Sequence, residues 1–456
     1  MLISDIRKNN LWLLGTLCIL LFSVCCFLGC AGDSADTDEV ESDGENPALW
    51  DHISVQPIES RGLLSPDVRA VLDSRGDAHI VYFESNVPQD PLDDITYTIH
   101  HLVWDTGAMT SDEEESVAEV DNCMGLDFTL DSDDVPVVAY QGGALRECGQ
   151  PRQGDAMFSV RETDEWDEYL GAMGEVDGDR NPVFQDGLAG ADVSVAVDSQ
   201  GNVHLCYQFR YEGCDSMNFA FPDLYYVKKD RNDPGAAGLE EQVEGNTYVA
   251  DDIGYQNRAG DHCALTIDGN DEPAIFYYAE LPPPQGGPGG DTKGLRVARR
   301  QGGVWIKEWV EEGCEVGDIA AACSADGTLG VAYYALEYTD GQGHSHRQCL
   351  KYAEETEASS WDIQLIDETS LCGKYCSLAF DSAGAPSIAY YSMKSHSGYA
   401  LNDLNLARFN GDSWDMEVVA TDGDIGLYNS LCLDNNDETY IFSYSDTEKK
   451  VYMFFE

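Results

Sequence analysis

One pattern recurs seven times along this chain and constrains its fold more than any other feature. Each copy is a short apolar strand, a turn led by Asp, and a second strand ending in Tyr or an aromatic pair. VRAVLDSRGDAHIVYF from Val68, VSVAVDSQGNVHLCY from Val193 and CSLAFDSAGAPSIAYY from Cys376 are examples. The turn leaders are Asp73, Asp131, Asp198, Asp268, Ser324, Asp381 and Asp434, at steps of 53 to 70 residues. Apolar positions alternate with period two, and no long stretch carries the helical period. Hydrophobic residues make up 43% of the chain, enough to bury a core, so wholesale disorder is excluded.

Two more strand-like segments separate successive copies. One reads GLRVARR from Gly294, CLKYAEE from Cys349 or LNLARFN from Leu404. The other carries Trp, as in VWIKEWVEE from Val304, SWDIQLIDE from Ser360 and SWDMEVVAT from Ser413. Four strands in each of seven units predict an all-β, seven-bladed propeller of four-stranded antiparallel blades around a channel. The seventh unit ends in KKVYMFFE without a Trp-marked strand. LWDHISVQPIE, residues 49–59, precedes the first copy and contains Trp50. The N-terminal strand is therefore expected to join the last blade and close the ring, leaving no open sheet edge at the seam.

The chain begins MLISDIRKNNLWLLGTLCILLFSVCCFLGC, with Arg7 and Lys8 ahead of an apolar run from Leu11 to Leu28. Phe27-Leu28-Gly29-Cys30 resembles the bacterial lipobox, departing from it at Phe27 and Leu28, where Leu and a small residue are usual. The resemblance implies a signal peptide over 1–29 and lipidation at Cys30; the acid-rich stretch 30–48 reads as a tether, and the repeat places the propeller over 49–456. Ala31 follows Cys30 in place of an Asp, which favours the outer membrane of the cell envelope. With its lipobox and four-strand repeat, the chain resembles the propeller lipoproteins of Gram-negative bacteria. It is more distantly similar to sialidase-like and lectin propellers.

Acidic residues number 84 against 26 basic ones, for a net charge of −58. Nucleic acid and anionic lipid head groups are excluded as partners, because binding them requires clustered Lys and Arg. Membrane contact is expected only through the N-terminal lipid, and the protein is expected to be a monomer.

The repeated D-S-x-G is similar to a sialidase-type Asp box but lacks the Thr-Trp that follows its Gly, and it reads as a turn. DSDDV at Asp131, DGNDE at Asp268 and DNNDE at Asp434 resemble part of a calcium loop without the Gly and distal Glu of an EF-hand. Calcium is the one cofactor these acids suggest. Paired tyrosines such as Tyr277-Tyr278, Tyr333-Tyr334 and Tyr390-Tyr391 point to opposite faces of a strand, so one of each pair is expected in the core. The nine histidines form no metal-ligand spacing. Eleven cysteines follow Cys30. In an oxidising compartment, Cys123–Cys148 and Cys206–Cys214 are the expected disulfides, each stapling a long loop to its own blade.

The turns between the first and second strands are short and alike. The connections between second and third strands are long and varied, which places a site on their face. Residues opening the innermost strands line the channel mouth there: Asp67, Arg69, Asp127, Asp192, Asp261, His262, Asp318, Lys374, Tyr375, Tyr428 and Asn429. The mouth is acidic and suits a cation, a cationic ligand or a neutral sugar. With no recognisable catalytic motif, the expected function is a non-catalytic envelope lipoprotein binding a protein partner, glycan or cation. The alternative is a glycoside hydrolase or lyase using paired carboxylates at the mouth.

Overall fold

The computed structural model describes residues 50–456 apart from 58–66, 87–95, 113, 121–124, 143–154, 163–164, 173–186, 212–221, 246–257, 282–291, 340–344, 358–359, 370, 397–398 and 422. Cys30 and the segments before Trp50 lie outside the described residues. Leu49–Glu456 is one compact unit. It forms seven four-stranded antiparallel sheets, six with their strands in sequence order from the axis outward and the seventh with the N-terminal strand as its outer member, and blade 1 carries one extra two-residue strand. No helix occurs among the described residues.

The innermost strands are Val68–Leu72, Leu126–Leu130, Gly187–Val197, Arg258–Ile267, Glu315–Cys323, Leu371–Phe380 and Leu427–Leu433. Closure follows the expectation: Asp51–Pro57 pairs antiparallel with Lys450–Phe455 and becomes the outer strand of blade 7. Its Trp50 donates the indole N–H to Glu417 of blade 6 at 3.4 Å. The same outer latch recurs where Trp166 and Arg161 converge on Glu115, and where Trp305 and Arg300 converge on Glu241.

The turn leader works the same way in six blades. Asp73 Oδ1 accepts the N–H groups of Arg75 and Asp77, both at 2.9 Å, so one carboxylate caps the whole reversal. Asp131, Asp198, Asp268, Asp381 and Asp434 repeat this arrangement. Ser324 replaces it in blade 5, its hydroxyl accepting from the Thr328 N–H at 3.0 Å. The acid-rich copies therefore spend their leading carboxylates on backbone. Among the described residues no three metal-ligating side chains gather.

Four neighbouring pairs of inner strands are also stitched together. Ala70 donates its N–H to Ser430 Oγ, Val195 to Asp127 Oδ2, Leu265 to Ser194 Oγ, and Leu431 to Ser377 Oγ, at 3.1, 2.8, 3.1 and 2.9 Å. The core lies between blades, where tyrosines of the second strands are sealed from solvent. Tyr277, Tyr333 and Tyr390 are buried with their hydroxyls on Glu244, Glu311 and Asp367, at 2.8, 2.6 and 2.9 Å. A phenol placed this way fills core volume and satisfies its own polar atom.

Candidate functional site

The mouth is built by a backbone irregularity repeated around the ring. Pairing of the inner strand slips between Ala191 and Ser194, Asp261 and Ala264, Lys374 and Ser377, and Leu427 and Ser430. Within each slip one residue takes a left-handed conformation, with φ of 48° at Asp192, 53° at His262, 50° at Tyr375 and 51° at Tyr428. Such a bulge redirects a side chain that would otherwise stay in the pleat, and non-glycine residues adopt it only where their surroundings hold them.

Six of the expected mouth residues form one electrostatic cluster drawn from five blades. Asp67 is ion-paired with Arg69, whose Nε stands 3.6 Å from Asp127 Oδ1. Burial is the main influence on Asp67. Arg69 opposes it, while Asp127 and Asp318 of blade 5 reinforce it, and its carboxyl is pushed up to about 6. The Asp67 side chain keeps 17% of its surface, so this carboxyl lines the opening instead of lying in dry core. Tyr375 and Tyr428 pack with ring centroids 4.7 Å apart, and their hydroxyls hydrogen-bond each other. Tyr428 in turn acts electrostatically on Arg69.

The other expected residues are placed differently. Asn429 is buried and supports the cluster, donating to the Tyr375 carbonyl at 3.0 Å. Asp192 reaches toward the His262 N–H at 3.4 Å, a looser copy of the tie between Asp318 and Tyr375. Asp261 is buried, held by Gln208 and Arg258. Lys374 is exposed, with Nζ 5.9 Å from the centre of the Tyr334 ring.

Two contributors were missed by sequence reasoning, Tyr391 and Asp424. Tyr391 packs edge-on against Tyr375 at 5.9 Å and hydrogen-bonds Asp424. Burial raises the Asp424 carboxyl, against a hydrogen bond from Asn402. Asp424 sits on the connection into blade 7, outside the repeated strand, where the repeat offers no signal. The long connections expected to surround the mouth lie largely outside the described residues, as do Cys123, Cys148 and Cys214. Cys206 is a free, buried thiol whose neighbour is Cys263 of the next blade, because its side chain turns into the space between blades.

No protein-family model matches the chain, and no curated protein is recognisably similar in sequence. Solved structures are similar in fold. A polysaccharide lyase described as an ulvan lyase gives a TM-score of 0.52 at 11% identity, covering 89% of this chain and 94% of that chain. The same kind of lyase bound to -[GlcA(1-4)Rha3S]- gives 0.51 at 11% identity, with the same coverage of both chains. A Penicillium chrysogenum alpha-L-arabinanase complexed with arabinobiose gives 0.47 at 10% identity, covering 90% and 98%.

The expectation of a non-catalytic binding protein is corrected at this point. It rested on the absence of a catalytic motif in sequence, yet the fold brings the raised Asp67 carboxyl and the Arg69 guanidinium of blade 1 together with carboxylates of blades 2 and 5 and phenols of blades 6 and 7. The similar structures at TM-scores of 0.52 and 0.51 are both of an enzyme described as a polysaccharide lyase.

Proposed function

We propose that this propeller cleaves glycan chains at its channel mouth, with Asp67 as the proton donor. The observation that carries the reading is the Asp67 carboxyl, raised to about 6 by burial and by Asp127 and Asp318. Around and below pH 6 the carboxyl carries its proton, giving up its ion pair with Arg69, and can pass that proton to a departing glycosidic oxygen. Asp318 belongs to a different blade and accepts the Tyr375 N–H through one oxygen, so it is the facing carboxylate that directs water. The Tyr375–Tyr428 pair offers an aromatic surface to a sugar ring.

A second reading, elimination, is favoured by one feature: the Tyr428 phenol stands near the Arg69 guanidinium. Elimination beside a sugar carboxylate needs a positive group to quiet that carboxylate and a phenol to move a proton. Purified protein incubated with a panel of neutral and acidic polysaccharides separates these outcomes. New reducing ends alone mark hydrolysis, and an unsaturated, ultraviolet-absorbing sugar marks elimination. No cleavage across the panel would end the catalytic reading.

The N-terminal lipobox supports an envelope location, the enzyme being tethered through lipid at Cys30.

A further inference from the structure

Among the described mouth residues, the cations differ in how they are committed. Arg69 is ion-paired with Asp67 and stands 3.6 Å from Asp127, which still faces it when Asp67 carries the donor proton, and Arg258 is paired with Asp261. Beside the mouth, Lys293 reaches Glu315 at 3.0 Å. Lys374 makes no such pair among the described residues; its ammonium stands over the Tyr334 ring. The mouth carboxylates are held by other donors: Asp318 by the Tyr375 N–H, Asp67 by Arg69, and Asp424 by Asn402 and Tyr391.

This placement is built by the backbone. Gly373 has φ of +103°, and a Cβ there would lie 3.0 Å from Leu350 Cα and 3.1 Å from the Cys349 carbonyl oxygen. Only glycine fits that approach, and it delivers Lys374 opposite Tyr391 at the start of the bulge. On the neighbouring blade, a Cβ at Gly317 would come within 2.8 Å of the Tyr334 ring, so this glycine leaves room for the ring beneath the ammonium. A cation over an aromatic face is steadied without being neutralised.

We propose that Lys374 is the anchor for an acidic group on the substrate, so that the glycan cleaved here carries carboxylates or sulfates. The inference rests on the catalytic reading of the same mouth and amends the expectation that the mouth suits a cation, a cationic ligand or a neutral sugar. The net charge of −58 belongs to the whole chain, whereas at physiological salt a charge is felt over only about 8 Å. Within that range a charge-assisted hydrogen bond from a free ammonium governs which groups can sit beside Tyr375.

The test measures binding by affinity electrophoresis and cleavage separately, on polygalacturonate (carboxylate only), carrageenan (sulfate only) and neutral arabinan. The protein should prefer one of the acidic polymers over arabinan, and which one identifies the group. Lys374→Gln should weaken that binding roughly tenfold or more, with Lys374→Arg restoring most of it. Lys374 is exposed, and an unchanged melting temperature for K374Q would confirm an intact fold. Equal affinity for neutral and acidic polymers, no binding to either acidic polymer, or an unchanged K374Q would overturn the inference. Lys374-dependent binding without cleavage would strike the catalytic reading alone. Cleavage of arabinan by wild type and K374Q alike would strike this inference alone.

Discussion

Tyr375 donates its backbone N–H to Asp318 Oδ2 at 2.9 Å, which fixes the bulged residue of blade 6 to the acid of blade 5. The contact does two things. It holds Tyr375 in its left-handed conformation, and it orients the Asp318 carboxylate, which acts electrostatically on Asp67. Removing the carboxylate by Asp318→Ala is therefore expected to lower cleavage far more than it lowers stability, where the loss of one such bond costs about 1 kcal/mol. Parallel measurement of turnover and melting would check this; equal proportional losses would reduce Asp318 to a structural tie.

The turn face is stitched by a different pairing. Ser74 donates its N–H to Asp134 Oδ1 at 3.0 Å and its hydroxyl to the other oxygen, and Ser199–Asp271 and Ser382–Asp437 repeat the pair. The accepting aspartates have φ of 62°, 62° and 64°, at the position that glycine fills in blades 1, 3, 5 and 6. A double-mutant cycle on Ser74→Ala and Asp134→Ala should give a coupling of up to about 1 kcal/mol. Strict additivity would show that the blades do not communicate through this latch.

Acid should unfold the protein through its buried histidines. His204 is held down at about 4, chiefly by burial, and sits between Asp198 at 3.1 Å and the Tyr226 hydroxyl at 2.8 Å. His101 is likewise lowered to about 4 by burial and by its neighbour His79. Between about 4 and the ordinary value of 6.5 the unfolded chain binds histidine protons that the folded chain refuses, so the histidine contribution is full above 6.5 and falls toward 4. Asp67 offsets part of this loss, because its raised carboxyl takes up a proton in the folded state over the same range. His204 alone accounts for on the order of 3 kcal/mol. Asp198 adds to the loss at still lower pH: burial would raise its carboxyl, but hydrogen bonds from Lys228, Asn202 and His204 hold it well below the carboxylate range. Melting temperature should drop as pH is lowered from 6.5 to 4, and less steeply in His204→Gln. A flat wild-type profile would contradict this account.

The seam carries stability for the whole ring. Deleting residues 49–59 removes the strand that pairs with Lys450–Phe455 and exposes the edge of blade 7. The truncated protein should lose cooperative melting and associate. Unchanged melting would mean that the ring holds without this strand.

Much of this was readable from the sequence because the repeat marks the inner half of every blade. The turn leaders, the buried tyrosines and the N-terminal closure by Trp50 all follow from position within the repeat. The chemistry of the mouth was not readable, since it depends on which blades face one another across the axis. Asp67 and Asp318 are far apart in sequence and interact only once the ring closes. Asp424 lies on a connection that the repeat does not describe, and Cys206 turns toward Cys263 of the next blade, a contact set by the order of the blades around the axis.

The most direct test of the central claim is the rate of glycan cleavage by wild type and Asp67→Asn, measured from pH 4 to 8 on the polymer that the panel identifies. With the Asp67 carboxyl raised to about 6, the wild-type rate should fall as pH rises through that value, because the donor loses its proton. Asp67→Asn should keep its fold and its binding while losing at least about a hundredfold in turnover at every pH. An Asp67→Asn protein as active as wild type, or a wild type that cleaves no glycan, would contradict the account.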